Sequence, residues 1–196
     1  MPVHNLSVET QAFTSASSGV GDVRISARVT PELFGFEAPV GLRFSAKFPA
    51  GTFPVDATVS PLTEGQRDWE LSLESGRFFD FLPIYVAGSV GYRWRGLSEA
   101  RLYDPGDETF GHVAVGGVAA ALNWEIGADA YWGKAPVVAG LPLDRDARRM
   151  FQIVPTIGYG IGSGTLEFSA QIPVSGRNLP SGTGFGIGYR TGWRLL

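Results

Sequence analysis

The sequence predicts an all-β fold, an antiparallel up-and-down transmembrane β-barrel, and three observations carry that prediction. Apolar and polar residues alternate two by two through one segment after another. The connections between those segments are alternately short and long, as in outer-membrane barrels with tight turns at one end and long loops at the other. Aromatic residues gather towards the ends of the apolar rows, where rings meet the two interfaces of a bilayer. Alternation by itself is silent on orientation, because a soluble barrel with an apolar inside writes the same period; the loops and the aromatics decide it.

Each element follows in order. Met1 to Gly21 is polar, rich in Ser, Thr and Ala, and reads as a loop segment that follows an earlier strand, with the barrel domain over 22–196. Alternation begins with Val23, Ile25, Ala27 and Val29 against Arg24, Ser26 and Arg28. After a turn at Thr30 to Ala38, Val40, Leu42, Phe44, Ala46 and Phe48 oppose Gly41, Arg43, Ser45 and Lys47. Pro49 to Gln66 holds three prolines, which a central strand does not accept, and is a long loop. Trp69, Leu71 and Leu73 then oppose Asp68, Glu70, Ser72 and Glu74. A short FFDFLP link leads to Leu82–Gly96, where Ile84, Val86, Gly88, Val90, Tyr92 and Trp94 form one row and Tyr85, Ala87, Ser89, Gly91, Arg93 and Arg95 the other.

Gly96 to Glu108 is a second long loop, turning at Pro105-Gly106. Val113, Val115, Gly117 and Ala119 against His112, Ala114, Gly116 and Val118 make a weaker strand, whose GGVAAA run also suits a helix. Beyond a tight turn near Ala121 to Asn123, Trp124, Ile126, Ala128, Ala130 and Trp132 oppose Glu125, Gly127, Asp129 and Tyr131. Gly133 to Arg149 is the third long loop. Phe151, Ile153, Pro155, Ile157 and Tyr159 alternate with Gln152, Val154, Thr156 and Gly158. A turn at Gly162 to Gly164 joins them to Leu166, Phe168, Ala170, Ile172 and Val174 against Thr165, Glu167, Ser169 and Gln171. After the loop Ser175 to Gly182, Phe185, Ile187, Tyr189, Thr191 and Trp193 face away from Gly184, Gly186, Gly188, Arg190 and Gly192. Nine strands are visible, and since single-chain outer-membrane barrels have an even number, at least one more is expected upstream.

Composition narrows the function classes. A chain of 196 residues suits one all-β domain, and its 27 glycines are about twice the usual share of roughly 7%. A net charge of −3 with no basic cluster speaks against nucleic acid. The absence of cysteine excludes disulfides and Cys-ligated metal. No apolar run approaches the ~18 residues of a membrane-spanning helix, and MPVHNLSVETQAFTSASSG has neither the basic nor the apolar region of a signal peptide. The missing leader and the missing strand have one expected explanation, a truncated or late-started chain.

With the last strand ending at the periplasmic side, all the long loops fall outside. Phe48, Trp69, Tyr92, Trp94, Trp132 and Phe185 then lie towards the extracellular ends, and Trp124, Tyr159 and Trp193 near the periplasmic ends, as two belts of interface aromatics. The polar rows turn to the lumen. They set Arg24, Arg28, Arg43, Lys47, Arg93, Arg95 and Arg190 against Asp68, Glu70, Glu74, Glu125, Asp129 and Glu167. Two readings fit: a ladder of cross-strand ion pairs that fills the lumen, or a transverse field that orients polar solutes in a narrow pore without strong ion selectivity. The acidic row before Leu82–Gly96 is the expected partner of Arg93 and Arg95.

Five stretches carry a family resemblance: GVGDVRISARV (Gly19 to Val29), FPAG (Phe48 to Gly51), LTEGQRDWELSLESGR (Leu62 to Arg77), YVAGSVGYRWRG (Tyr85 to Gly96) and IPVSGRNLPSGTGFGIGYR (Ile172 to Arg190). Together the chain resembles the outer-membrane family of the transporter, or MetA-pathway of phenol degradation, type, which has a GxGD strand start, a K-x-P-x-G loop start, a G-Q-x-D/E strand start, a VGYRxR strand and a late GRN segment. The resemblance implies a barrel of the bacterial outer membrane and uptake of aromatic compounds. The ending GYRTGWRLL departs from the terminal aromatic that barrel assembly uses, Trp193 standing three residues short of the end.

Catalytic chemistry is thinly supplied. The histidines are His4 and His112, and a rim hydrolase would need His112 beside a Ser or acidic partner such as Ser98 or Glu108; no G-x-S-x-G motif is present. GYGIGSG (Gly158 to Gly164) lies between strands, not before a helix, so it is no dinucleotide site. No residues show metal-ligand spacing. The sequence therefore predicts a porin-like channel or transporter for small solutes, aromatic or apolar ones among them, with no catalytic residues, metal or cofactor. Its expected partners are membrane lipid, the solute and the barrel-assembly machinery. The alternatives are a structural barrel with a closed lumen and partner-binding loops, and a rim lipid hydrolase.

Overall fold

The computed structural model describes residues 3–9, 14–35, 38–50, 65–79, 81–98, 102–178 and 182–191. In chain order the strands are β1 (Val3–Glu9), β2 (Thr14–Val20), β3 (Val23–Val29), β4 (Val40–Phe48), β5 (Asp68–Phe79), β6 (Ile84–Arg95) and β7 (Tyr103–Asp104). There follow β8 (Glu108–Ala119), β9 (Leu122–Gly133), β10 (Val137–Val138), β11 (Leu141–Pro142), β12 (Arg149–Ile161), β13 (Gly164–Arg177) and β14 (Gly184–Thr191). Nine of them, the nine that alternation marks out, form one antiparallel sheet in the order β14-β13-β12-β9-β8-β6-β5-β4-β3. Each strand of that sheet pairs with the next one the sheet receives along the chain, so the sheet is a meander curled into half a barrel.

The central strands β5, β6, β8 and β9 have 12 residues each. At about 3.3 Å per residue and a tilt of about 40°, such a strand rises about 30 Å, the thickness of a hydrocarbon core. The GGVAAA ambiguity resolves as strand: β8 runs to Ala119 and turns on Ala120, whose φ of 56° places a non-glycine residue in the left-handed region. The β12–β13 hairpin turns through Gly162 at φ 59°, a conformation glycine adopts freely. Two prolines inside strands sit where the ladder is broken. Pro155 falls in the gap between the pairs Ile153↔Ile172 and Thr156↔Ser169, and Pro173 adjoins the register shift between Phe151 and Gln152.

Burial is inverted relative to a water-soluble sheet. Among the described residues the buried aliphatic side chains are Ala46 and Ala114, whereas Asp68, Lys47, Glu70, Arg95, Glu108 and Gln152 are all buried. The apolar rows are the open ones, with Ile25 63%, Val113 62% and Phe185 85% exposed. A water-soluble protein almost never buries Lys, Glu, Arg and Asp in preference to Ile, Leu and Phe. Curvature explains the crowding on the polar side: Arg24 on β3 reaches Glu70 on β5 at 2.5 Å, and the Tyr131 hydroxyl on β9 lies in the field of Arg24. In a flat sheet, strands β3 and β9 would stand about 24 Å apart, at about 4.8 Å per strand.

Two sequence expectations need correction. The polar loop read over Met1–Gly21 contains a hairpin, β1 pairing with β2 from Val3↔Val20 to Glu9↔Thr14. Backbone pairing asks nothing of side-chain polarity: the Ser/Thr-rich β2 has no apolar period to detect, and in β1 the alternation is confined to Leu6 and Val8. The stretches Gly96–Glu108 and Gly133–Arg149, read as plain long loops, also hold short strands. They join in a small sheet of order β11-β10-β7, with Tyr103↔Val138 and Asp104↔Val137 paired across the two. Residues 51–64 of the first long loop lie outside the described residues, as does Trp193.

Candidate functional site

The polar face is built by register. Antiparallel pairing sets Arg24, Lys47, Asp68 and Arg95 in one cross-strand row, and Ser45, Glu70, Arg93 and Glu108 in the next. Acidic β5 thus lies between basic β4 and basic β6, and the side chains close the gaps. Lys47 Nζ lies 2.7 Å from Asp68 Oδ2 and 3.4 Å from Asp22. Arg93 donates from Nε to Glu70 at 2.8 Å and from Nη1 to Glu108 at 2.7 Å. Arg95 donates from Nη1 to Glu108 at 2.8 Å and approaches Asp68 at 3.8 Å. Arg28 and Arg43 share Glu74, at 3.2 and 2.5 Å. Arg93 and Arg95 therefore meet the acidic row of the preceding strand, and a lattice of charge-assisted hydrogen bonds ties β3, β4, β5, β6 and β8 together.

Glu108 is the residue that sequence reasoning missed. It bridges both arginines of β6 and lies 4.0 Å from Arg148, yet the sequence placed it at a loop end. The available signal was period 2: Glu108, Phe110 and His112 continue one row.

The far side of the face is more acidic. Glu125 accepts from the Tyr85 hydroxyl, Glu167 pairs with Arg190, and Asp129 accepts from His112 Nδ1 at 2.7 Å and from Gln152 Nε2 at 2.9 Å. Neither Ser98 nor Glu108, the partners a hydrolase would need, touches His112. Ser98 is buried beside Tyr103 in the loop sheet and Glu108 is engaged by the arginines. Ser89 stands opposite His112 in register, but its hydroxyl makes no hydrogen bond to the ring among the described residues.

The aromatics fall on the apolar face near strand ends. Trp69 pairs with Trp94 across β5–β6, stacks on Phe44 at 5.6 Å and meets Phe48 edge-on at 6.1 Å; Tyr92 meets Trp94 edge-on at 5.1 Å. Thr109 stands opposite both Tyr92 and Trp132, and Phe185 begins the apolar row of β14. At the opposite end are Trp124 and Tyr159, opposite Gly117 and Leu122. Between the two ends the surface is aliphatic, with a trough of about 340 Å³ among Val86, Val113, Ile126 and Phe151.

A latch fastens the long loops above β6. Asp107 accepts from the Tyr92 hydroxyl at 2.8 Å, from Lys134 Nζ at 2.9 Å and from the Arg95 backbone N–H at 3.1 Å. Partial burial pushes the Asp107 carboxyl up, but the Lys134, Tyr92 and backbone hydrogen bonds outweigh it and leave it below the ordinary value. The same contacts with Tyr92 and Asp107 raise the Lys134 ammonium.

Fold and face together define a β-barrel of the outer-membrane type, polar within and apolar without. The chain belongs to the family described as "Putative MetA-pathway of phenol degradation", whose model matches residues 2–189. It is also similar to the crystal structure of an outer membrane channel from Pseudomonas putida F1, at 16% sequence identity and a TM-score of 0.71 over 90% of this chain and 70% of that one. No curated protein matches it in sequence.

Proposed function

We propose that the chain forms a channel of the bacterial outer membrane, with the polar face as lumen, lipid against the aliphatic rows and solvent at the latched loops. The inverted burial carries this reading: Asp68 is 1% exposed while Ile25 and Val113 stand open, an arrangement stable when hydrocarbon covers the outside. The family and the fold of the Pseudomonas putida F1 channel support it. The solutes are small, aromatic or apolar compounds among them, as the family description suggests. Arg28 and Arg43 sharing one carboxylate on β3–β4–β5, against Glu125 and Asp129 on β9, support a transverse field over a simple filled ladder. Insertion would use the barrel-assembly machinery.

Purified protein reconstituted in planar bilayers should give discrete conductance steps. A sheet-rich, heat-modifiable species that gives none would overturn the channel and favour a closed barrel whose joined loops bind a partner.

A further inference from the structure

Two arginines stand side by side on the outward face. Trp132, Arg149 and Arg177 are successive cross-strand partners at the loop ends of β9, β12 and β13. By strict alternation Arg177 would point to the lumen, because Ile172 lies opposite Ile153 on the outer face. The register shift after Phe151 reverses this: Phe151 pairs with Ser175 and Gln152 with Pro173, so Val174 is left over and Arg177 joins Arg149 outside. Both arginines are exposed, and neither makes an ion pair or a side-chain hydrogen bond among the described residues.

Like charges directly opposite one another across an antiparallel pair destabilise it, their Cβ atoms standing about 5 Å apart. The polar face answers the same problem with a carboxylate, since Arg28 and Arg43 are also register partners and share Glu74. Arg149 and Arg177 have no such acid. Asp144 and Asp146, in the short turn ahead of β12, pair with neither. The two guanidinium groups border a hollow of about 450 Å³, bounded also by Trp132, Phe151 and Ser175. The aliphatic trough of about 340 Å³ starts from the same Phe151 and passes over Ile153, Val113 and Val86. A cationic hollow thus continues into an apolar trough through one shared side chain.

We infer that the β9–β12–β13 rim seats a phosphorylated membrane lipid, its phosphate between Arg149 and Arg177 and one acyl chain in the trough below Phe151. The inference rests on the proposed function in one respect, that the outward face meets lipid. Guanidinium forks bind phosphate oxygens in pairs, and two forks on neighbouring strands bracket one such group. Near a membrane interface an outward arginine is inserted at little cost, and Trp132 is the ring expected at that depth. The trough adds shape rather than affinity, since acyl chains are as apolar elsewhere; the arginines supply the preference. A zwitterionic headgroup would bring a cation of its own against them, and a free phosphate ion would leave the trough unused. Arg77 provides the contrast: it lies outward on β5 opposite Val86, without an ion pair and without a second cation in its register row.

The test is native mass spectrometry of the full chain in a neutral detergent, titrated with diphosphorylated lipid A, its dephosphorylated form, phosphatidylcholine and inorganic phosphate. The phosphorylated lipid should be retained saturably, with the dephosphorylated form and phosphatidylcholine about tenfold weaker. Arg149→Gln and Arg177→Gln should each weaken it about tenfold while Arg77→Gln leaves it unchanged, heat-modifiable migration showing that each variant is folded. Equal retention of the dephosphorylated lipid, unsaturable uptake, displacement by inorganic phosphate at equal concentration, or folded Arg149 and Arg177 variants that bind as the native chain does would overturn the seat. Retention in detergent needs no conductance, so the two proposals fail separately. Lipid retention without conductance sinks the channel alone, and conductance without a preference for phosphate sinks the seat alone.

Discussion

Replacing Glu108 with alanine probes whether buried charge holds the polar face together. The carboxylate is engaged by Arg93 at 2.7 Å and by Arg95 at 2.8 Å, and the Arg95 side chain is 1% exposed. Removing one member of a buried ion pair costs about 3–5 kcal/mol, because the other charge stays behind in a poor dielectric. Here Arg93 keeps Glu70 at 2.8 Å and Arg95 keeps Asp68 at 3.8 Å, so the lower end applies. A loss of about 3 kcal/mol, some two orders of magnitude in the folding constant, is expected. Urea unfolding in lipid vesicles, followed by tryptophan fluorescence, measures it. Glu108→Gln, which keeps an acceptor, should lose less. Glu108→Met combined with Arg95→Met should recover much of the deficit, since the pair then leaves together. If Glu108→Ala lies within about 0.5 kcal/mol of the native chain, the scale of an exposed pair, the lattice is solvated and the reasoning fails.

Three further outcomes follow from other parts of the fold. Val113→Arg on the aliphatic face should destabilise the vesicle-inserted protein by about 2–4 kcal/mol, as a charge near mid-bilayer does, whereas an effect near zero would place that face in water. Gly91→Ala should cost about 1–3 kcal/mol because its Cβ would fall 2.5 Å from Phe110 and 2.7 Å from the Leu71 carbonyl, while Gly111→Ala, with 3.8 Å to spare, should cost under about 1 kcal/mol; both are read from the same unfolding curves. Asp107 has a folded pKa below its ordinary 3.8, so its stabilisation of the latch is complete above that value and disappears as pH falls through the lowered one. Asp107→Asn should reproduce the acid state at neutral pH, and faster tryptic cleavage after Lys134 would report it.

The main sheet was legible because each strand keeps its two faces chemically distinct for eight or more residues in most cases, and the β5–β6 pairing followed from the opposed charges on Asp68–Glu70 and Arg93–Arg95. The β1–β2 hairpin was not: in β2 Ser, Thr and Gly pair as a strand without leaving an apolar trace, and the alternation of β1 is confined to Leu6 and Val8. The loop sheet escaped for another reason: two-residue strands such as Val137–Val138 are too short to show a period. Glu108 was hidden by the Pro105-Gly106 turn just ahead of it, which drew the loop boundary past the first residue of β8.

The inverted burial also bears on how such a chain can vary. In a water-soluble core each apolar side chain must fit its neighbours' volumes, so replacements come in compensating sets. In the proposed membrane placement the outward Val, Ile, Leu and Phe residues meet fluid acyl chains, which mould themselves to any contour. Roughly every second strand position is then asked for hydropathy alone, and drifts freely among the large aliphatics and aromatics. Heritable constraint collects on the inward positions, where losing Asp68 or Glu108 strands a buried cation. A backbone shared at 16% identity is what that division of labour permits.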